Sequence, residues 1–252
     1  MNKKQLIEIA TRIGYCLQTS GAETFRVEDS IYRILSALGA RDISVFVINS
    51  VIMFSMKTRE GQIAFDMKRC LGKSIDLHKI ERANALCRRI CSQEMSYEEI
   101  IAEIEKIENK KQYSFIVKYL GFTLVSVGFT AIFGGGLLEA LAALFTALIV
   151  YPLMHFMDAL KIGVFFKNIL ASAAIALAVV VFNAFICQIQ IDKTIIGTFM
   201  NLVPGVALTT SMRDIIAGDM ISGKNILTEA IIIALGMALG AGIVMAASQG
   251  LI

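Results

Sequence analysis

The residues from 113 onward contain five apolar runs, each close to the roughly 20 residues that a helix needs to cross a bilayer. The whole chain is 56% hydrophobic and 18% charged, whereas soluble domains are roughly 45–50% apolar and about 25% charged. This half of the sequence therefore predicts an all-α membrane domain of five transmembrane helices over 113–252. The predicted spans are 114–134, 137–157, 165–187, 194–217 and 228–248.

The first 112 residues differ sharply from the rest, because they hold 18 of the 24 Lys+Arg and 15 of the 21 Asp+Glu. Apolar residues at helical spacing predict a helix over 2–18. Short β-branched segments separated by turn residues then predict three strands in hairpin order. We therefore expect an α+β cytosolic domain with a small antiparallel sheet over 1–112, completed by helices over 76–92 and 96–109.

Three helix starts have recognisable caps in this sequence. Asp76 can cap the helix that follows it, and Ser96 with Glu99 has the form of a capping box. Ser20 with Glu23 has the same form before a second helix. The stretch that contains Ser20, Glu23 and Arg26 has two interpretations: a ligand-binding loop, since a helix N-terminus attracts anions, or a simple cap with solvated charges.

Several classes of protein are disfavoured. The net charge of only +3 gives no basic field for nucleic acid. The five cysteines lack the spacing of a zinc site, and no nucleophile–base set or phosphate-binding loop can be assembled. We expect no cofactor, no metal and no enzymatic activity.

The fourth apolar run, with the residues around it, is unusual for a membrane helix. Pro204 and Gly205 should break it, and the backbone groups that the break frees must be satisfied by protein or water. Discontinuous helices are a common way to build a transporter substrate site. We predict substrate binding by Asn201, Pro204, Gly205, Thr209 and Thr210, and gating by Arg213 and Asp214. A kink that serves only packing is the alternative.

Three further acids near the predicted spans are candidates for a proton relay. They are Glu139, Asp158 and Glu229, since ionisable groups in membrane segments usually have a functional reason. For Glu139 and Glu229 the alternative is an acid placed at a helix N-terminus, where the helix dipole favours it.

The distribution of Lys and Arg predicts the orientation. Loops on the N-terminal side of the membrane hold Lys161, Lys167, Arg213 and Lys224, and the opposite side holds only Lys193. We therefore expect a multi-pass protein of the bacterial inner membrane with its N-terminus in the cytoplasm and its C-terminus outside.

Three motifs occur together in this chain: SGAET-x-R-x-E from Ser20, NALCRR from Asn84, and LVPG-x5-S-x-RD-x3-GD from Leu202. In this order they resemble the threonine/serine exporter family, and in particular its YjjP-like subunits. The resemblance implies a secondary transporter that exports threonine/serine or a dicarboxylate such as succinate, driven by the proton motive force. It also implies a small YjjB-type membrane subunit as partner, although self-assembly into a homo-oligomer is a second way to cover polar helix faces.

Two functions of different classes are compatible with these observations. One is an exporter subunit for a small carboxylate-bearing molecule. The other is a membrane-anchored enzyme or sensor that acts through its cytosolic domain.

Overall fold

The computed structural model describes residues 1–72, 74–110 and 113–249. The predicted domain boundary at 112, the basic residue Lys111 and the C-terminal Ile252 lie outside the described residues. In chain order the elements are α1 Lys3–Thr19, α2 Thr24–Ala37, β1 Arg41–Ile48, β2 Val51–Lys57, β3 Ile63–Arg69, α3 Leu77–Ser92, α4 Tyr97–Glu108, α5 Phe115–Ile132, α6 Leu137–Ala159, α7 Val164–Phe185, α8 Ile191–Phe199, α9 Gly205–Ala217 and α10 Met220–Ala247.

The chain forms two compact units. The first unit combines Met1–Lys111 with Val206–Leu227, and the second combines Gln112–Gly205 with Thr228–Ile252. The segment that contains α9 thus belongs with the charged N-terminal residues, although it follows the first three apolar helices in sequence. The two predicted domains, 1–112 and 113–252, remain predictions.

The first unit contains an antiparallel sheet in the order β1-β2-β3, as the hairpin pattern predicted. Ile48 pairs with Val51 across the two-residue turn, so alternate residues of β2 point to one face. The buried side chains of that face, such as Ile52 and Phe54, join a core with Ile9 and Ile13 of α1 and residues of the other helices. The α+β character of this part of the chain is confirmed.

The predicted helix caps are confirmed at two of three positions. Asp76 accepts a hydrogen bond from the Lys79 N–H at 3.0 Å, and Ser96 and Glu99 form the reciprocal bonds of a capping box. The capping box predicted for Ser20 and Glu23 is wrong, because α2 begins at Thr24 and the Glu23 side chain makes no cap bond. Glu23 is instead engaged by two arginines, as described below.

The second unit is helical and apolar on most of its surface. Over the described residues, four helices are long and apolar enough to cross a membrane: α5, α6, α7 and α10. Their inward side chains, including Val150, Ile175 and Met237, form a core together with Leu202. Many other apolar side chains are exposed, as expected for surfaces that meet lipid or another membrane protein.

The predicted span 194–217 is not one helix. It is divided between α8 and α9, and residues 200–204 separate them. Pro204 has no N–H to donate and cannot continue α8, so the helix ends with Leu202 and Val203 both donating to the Phe199 carbonyl, at 2.7 and 3.0 Å. The expected break is therefore confirmed, whereas a fifth span is not.

Candidate functional site

The first turn of α2 holds a carboxylate that lies 190 residues further along the chain. The Thr24 N–H donates to Asp214 Oδ1 at 3.1 Å, and the Thr24 hydroxyl donates to Asp214 Oδ2 at 3.1 Å. Asp214 is 0% exposed. Helix N-termini attract anions because their first N–H groups lack partners inside the helix. Here the group at the helix end is the Asp214 carboxyl group, which α9 of the same unit supplies.

An ion pair lies beside this carboxylate. Arg213 Nη1 contacts Glu23 Oε1 at 2.5 Å, and Arg26 pairs with the other oxygen of Glu23. Glu23 is 8% exposed, so its charge is balanced by two guanidinium groups rather than by water. The four-residue cluster of Glu23, Thr24, Arg213 and Asp214 is called the docking cluster below.

Two more acids surround the docking cluster. Glu28, one turn further along α2, accepts a hydrogen bond from the Val47 N–H at 2.7 Å. Burial raises the pKa of Glu28, and the negative charges of Asp219 and Asp214 raise it further, against the lowering effect of the Val47 bond. Burial also raises the pKa of Asp219. The carboxyl groups of Glu28 and Asp219 therefore keep their protons to a higher pH here than they would in water.

The structure brings together most of the residues predicted in the loop and in the gate. Glu23 pairs with Arg26 and Arg213, and Asp214 binds Thr24 directly after Glu23. Ser20 is buried, and its carbonyl accepts from the Asp76 N–H at 3.1 Å, so this contact is to the start of α3. Glu23 is buried and paired with two arginines, so its charge is not solvated. A ligand-binding role for this stretch stays a prediction. The acceptor at the helix end is the protein's own Asp214 carboxyl group.

Sequence reasoning gave no role to Asp219, and it placed Thr24 and Glu28 in the candidate loop without identifying their partners. All three stand inside the motifs SGAET-x-R-x-E and RD-x3-GD. Each motif contains two acidic residues and one arginine. This excess of acid in both motifs is the signal that could have indicated that they meet.

Asn201 lies in the second unit, directly after α8. Its amide nitrogen donates to Ser126 Oγ at 2.9 Å and to the Phe122 and Thr198 carbonyls at 3.3 Å. Ser126 and Phe122 belong to α5, so the amide joins the end of α8 to the middle of a long apolar helix.

A close approach of α5 and α8 makes this bridge possible. A Cβ added at Gly197 would lie 2.2 Å from Thr130 Oγ1 and 2.5 Å from the Thr130 backbone nitrogen. Only a residue without a side chain fits at that distance. Since Gly197 precedes Asn201 by four positions, the two residues lie on one side of the helix end.

The other predicted substrate residues are not all in one unit. Pro204 and Gly205 follow Asn201 in the second unit, while Thr209 and Thr210 belong to the first. The Thr209 hydroxyl donates to the Val206 carbonyl at 3.0 Å within α9.

The three candidate relay acids are separate from one another. Glu139 accepts from the Gly136 N–H at 2.8 Å and from the Gln190 N–H at 3.0 Å, so it caps α6 and holds the start of α8. Asp158, about 28 Å further along the same helix at 1.5 Å per residue, accepts from Lys167 Nζ at 2.5 Å. Glu229 is exposed on α10. A shared proton path through these acids stays a prediction.

A metal centre has no obvious ligand set here. Within residues 1–72, 74–110 and 113–249, no three His, Cys, Asp or Glu side chains are grouped closely enough to hold an ion. The site chemistry is that of hydrogen bonds, ion pairs and buried carboxyl groups.

Long apolar helices and a folded polar unit define the chain as a membrane protein with a substantial part outside the apolar region. Residues 8–248 match the family model ThrE, whose description reads "Putative threonine/serine exporter". The match covers nearly the whole sequence, so the chain belongs to the threonine/serine exporter family. No curated protein and no solved structure matches it.

Proposed function

We propose that this chain is a subunit of a bacterial inner-membrane exporter for small carboxylate-bearing metabolites. Threonine and serine are the first candidates, from the family description, and a dicarboxylate such as succinate is the second. The proton motive force is the proposed energy source. Family membership supports transport, while the choice of substrate and coupling ion is part of the proposal.

The broken helix at residues 200–204 is the observation that carries the proposal. A continuous apolar helix would present no polar backbone, whereas the end of α8 places Asn201 beside Ser126 with Pro204 and Gly205 directly after it. An amide that donates to a hydroxyl and to two carbonyls can exchange those acceptors for a substrate carboxylate, which is the stronger acceptor. We propose that Asn201 makes this contact, with Pro204 and Gly205 keeping the backbone open. A role in substrate binding for Thr209 and Thr210, which belong to the first unit, stays a separate prediction.

We propose that the N-terminus is cytoplasmic and the C-terminus outside. Four long helices alone would return the chain to its starting side, so this orientation needs a fifth crossing, over α8 and the residues that follow it. The bias of Lys and Arg toward one set of loops supports it. Reporter fusions after Glu108 and after Ser248 should therefore report opposite sides of the membrane, and reports from the same side would contradict the crossing.

We also propose that the chain works with a second membrane subunit of the small YjjB type. Its long helices expose many large apolar side chains, including Leu124 at 71% and Ile243 at 65%. Small residues such as Gly242, whose added Cβ would meet nothing within 4 Å, leave room for another helix to approach. If the chain self-associates instead, a second copy of it would take the place of the small subunit.

The test is efflux from proteoliposomes loaded with threonine, serine or succinate, with and without the small subunit. We expect Asn201→Leu to lose most efflux per correctly inserted protein, because the variant keeps the side-chain size but has no donor. Asn183→Leu is the matched control, since the Asn183 amide oxygen accepts from the Ile189 N–H of the adjacent loop at 2.9 Å, and this variant should keep efflux.

The result that would overturn the substrate site is equal efflux from wild type and Asn201→Leu. Replacing Pro204 and Gly205 together by Ala should also lower efflux, since a repaired helix uses its own N–H groups internally. If that double variant transports at the wild-type rate, the break serves packing alone.

A further inference from the structure

The carboxyl group of Asp214 is buried in an environment that favours its neutral form. It is 0% exposed, and an ionised carboxylate is costly to bury without compensation. Its two oxygens accept hydrogen bonds from the uncharged N–H and hydroxyl of Thr24. The neighbouring guanidinium of Arg213 is directed to Glu23 instead.

The charged groups around Asp214 are mostly acidic. α2 contributes Glu23, which two arginines neutralise, and Glu28, and the turn between α9 and α10 contributes Asp219. Burial raises the pKa of Asp214, and the charges of Asp219 and Glu23 add to that effect, while the two Thr24 bonds lower it. The docked carboxyl group therefore binds a proton more tightly than the same group in water.

We propose that Asp214 is a proton-binding site, and that α9 separates from the first turn of α2 when this carboxyl group loses its proton. The proton-bound form suits the docking cluster. Its carbonyl oxygen can still accept from the Thr24 N–H, and its O–H can donate to the Thr24 hydroxyl oxygen, so no charge is left buried. The ionised form keeps two acceptors but adds a buried negative charge close to Glu28 and Asp219.

Linkage gives the direction of the coupling. A group that binds a proton more tightly in the docked state stabilises that state when protonated, and its ionisation favours separation by the same factor. Each unit by which docking raises the pKa changes the docking equilibrium about tenfold. The proton leaves Asp214 for water as α9 separates, and returns from water before docking. This inference rests on the proposed exporter, in which such a cycle would link proton binding to movement of α9.

The Thr24 amide is a direct reporter of docking, because its N–H donates to Asp214 and has no acceptor within α2. Hydrogen exchange of this amide in the full chain, in lipid nanodiscs and corrected for intrinsic pH dependence, measures the separated fraction. The Val27 N–H, which donates to the Glu23 carbonyl at 3.2 Å, is the internal reference within the same helix. We expect protection of the Thr24 amide to fall as the pH rises from 4, near the ordinary pKa of an aspartate, to 8, by about tenfold for each unit by which docking raises the pKa of Asp214.

Asp214→Asn keeps the size and the hydrogen bonds of the protonated carboxyl group but cannot ionise. Its amide can accept from the Thr24 N–H and donate to the Thr24 hydroxyl oxygen. We expect protection of the Thr24 amide in this variant to be independent of pH. Asp29→Asn, which removes an exposed acid of the same helix, should behave like wild type. A pH-independent amide in wild type, or the same pH dependence in Asp214→Asn, would overturn the inference.

Transport assays distinguish this inference from the proposed function. We expect Asp214→Asn to lose proton uptake, measured with a pH-sensitive dye, whereas Asp29→Asn should take up protons as wild type does. If hydrogen exchange of the Thr24 amide depends on pH as expected but the wild type moves no substrate, the exporter proposal fails and the proton site stands. If the wild type exports substrate but protection of its Thr24 amide does not change with pH, only the proton site is rejected.

Discussion

Gly197→Ala should disrupt the contact between α5 and α8 on which the position of Asn201 depends. The added Cβ would lie 2.5 Å from the Thr130 backbone nitrogen and 2.6 Å from its Cα. Carbon contacts need roughly 3.5 Å, so the two helices must separate by about 1 Å. Thr130 cannot relieve the contact by rotation alone, because backbone atoms are involved and its hydroxyl already donates to the Ser126 carbonyl at 2.8 Å.

The size of the effect follows from two opposing terms. Overpacking costs about 1–3 kcal/mol, and replacing Gly by Ala inside a helix returns about 1 kcal/mol. We expect a net loss of up to about 2 kcal/mol, which corresponds to a fall of up to roughly 8 °C in the unfolding temperature for a chain of this size. Efflux should fall as well, since a shift of about 1 Å moves Asn201 relative to Ser126.

The assay is thermal unfolding of the detergent-solubilised full chain, together with efflux per inserted protein. Gly128→Ala on α5 is the matched control, because a Cβ there would meet nothing within 4 Å. It should leave the unfolding temperature unchanged or raise it slightly. If Gly197→Ala and Gly128→Ala unfold at the same temperature with the same efflux, the close approach of α5 and α8 is refuted.

Three other predictions concern separate parts of the molecule. Asp76→Ala should lower the unfolding free energy of the first unit by about 0.5–2 kcal/mol through loss of a helix cap, and chemical denaturation with Asp76→Asn as the conservative variant measures it. Gly240→Ala should destabilise the chain because the new Cβ would lie 2.1 Å from the Ile169 carbonyl oxygen, whereas Gly242→Ala, with nothing within 4 Å, should not. Because the folded pKa of Glu28 is raised from its ordinary value of 4.5, its contribution to stability is full below that value and is lost as the pH rises through the folded pKa. Unfolding temperatures from pH 4 to pH 8 should therefore fall less in Glu28→Gln, and an unchanged slope would contradict the assignment.

Local signals in the sequence were sufficient for much of the fold. The caps at Asp76 and Ser96 depend on residues within one turn, and the hairpins depend on alternation and on two-residue turns, so both can be read from short windows. The break at Pro204 is local for the same reason. The capping box at Ser20 failed because a sequence window shows which groups can cap a helix but not which distant group competes with them.

The parts of the site that depend on distant contacts could not be read in this way. Nothing in the residues near Thr24 indicates that its partner is Asp214, and nothing near Asn201 selects Ser126 over another hydroxyl. The fifth span was predicted because average hydropathy across 194–217 is insensitive to where a helix stops. Pro204 gave the position of the break, but not the assignment of α9 to the unit formed by the first 111 residues.

The bond between Thr24 and Asp214 also sets an order of events during synthesis. At about 5–20 residues per second, the ribosome needs roughly 10–40 s after making Thr24 to make its partner 190 residues later. For that period α2 lacks its capping carboxylate, and Glu23 lacks one of its two arginines. The N-terminal part must therefore remain soluble and resist degradation while four helices of the second unit are produced. A protein shortened to its first 110 residues would be arrested permanently at this stage, with its first unit incomplete.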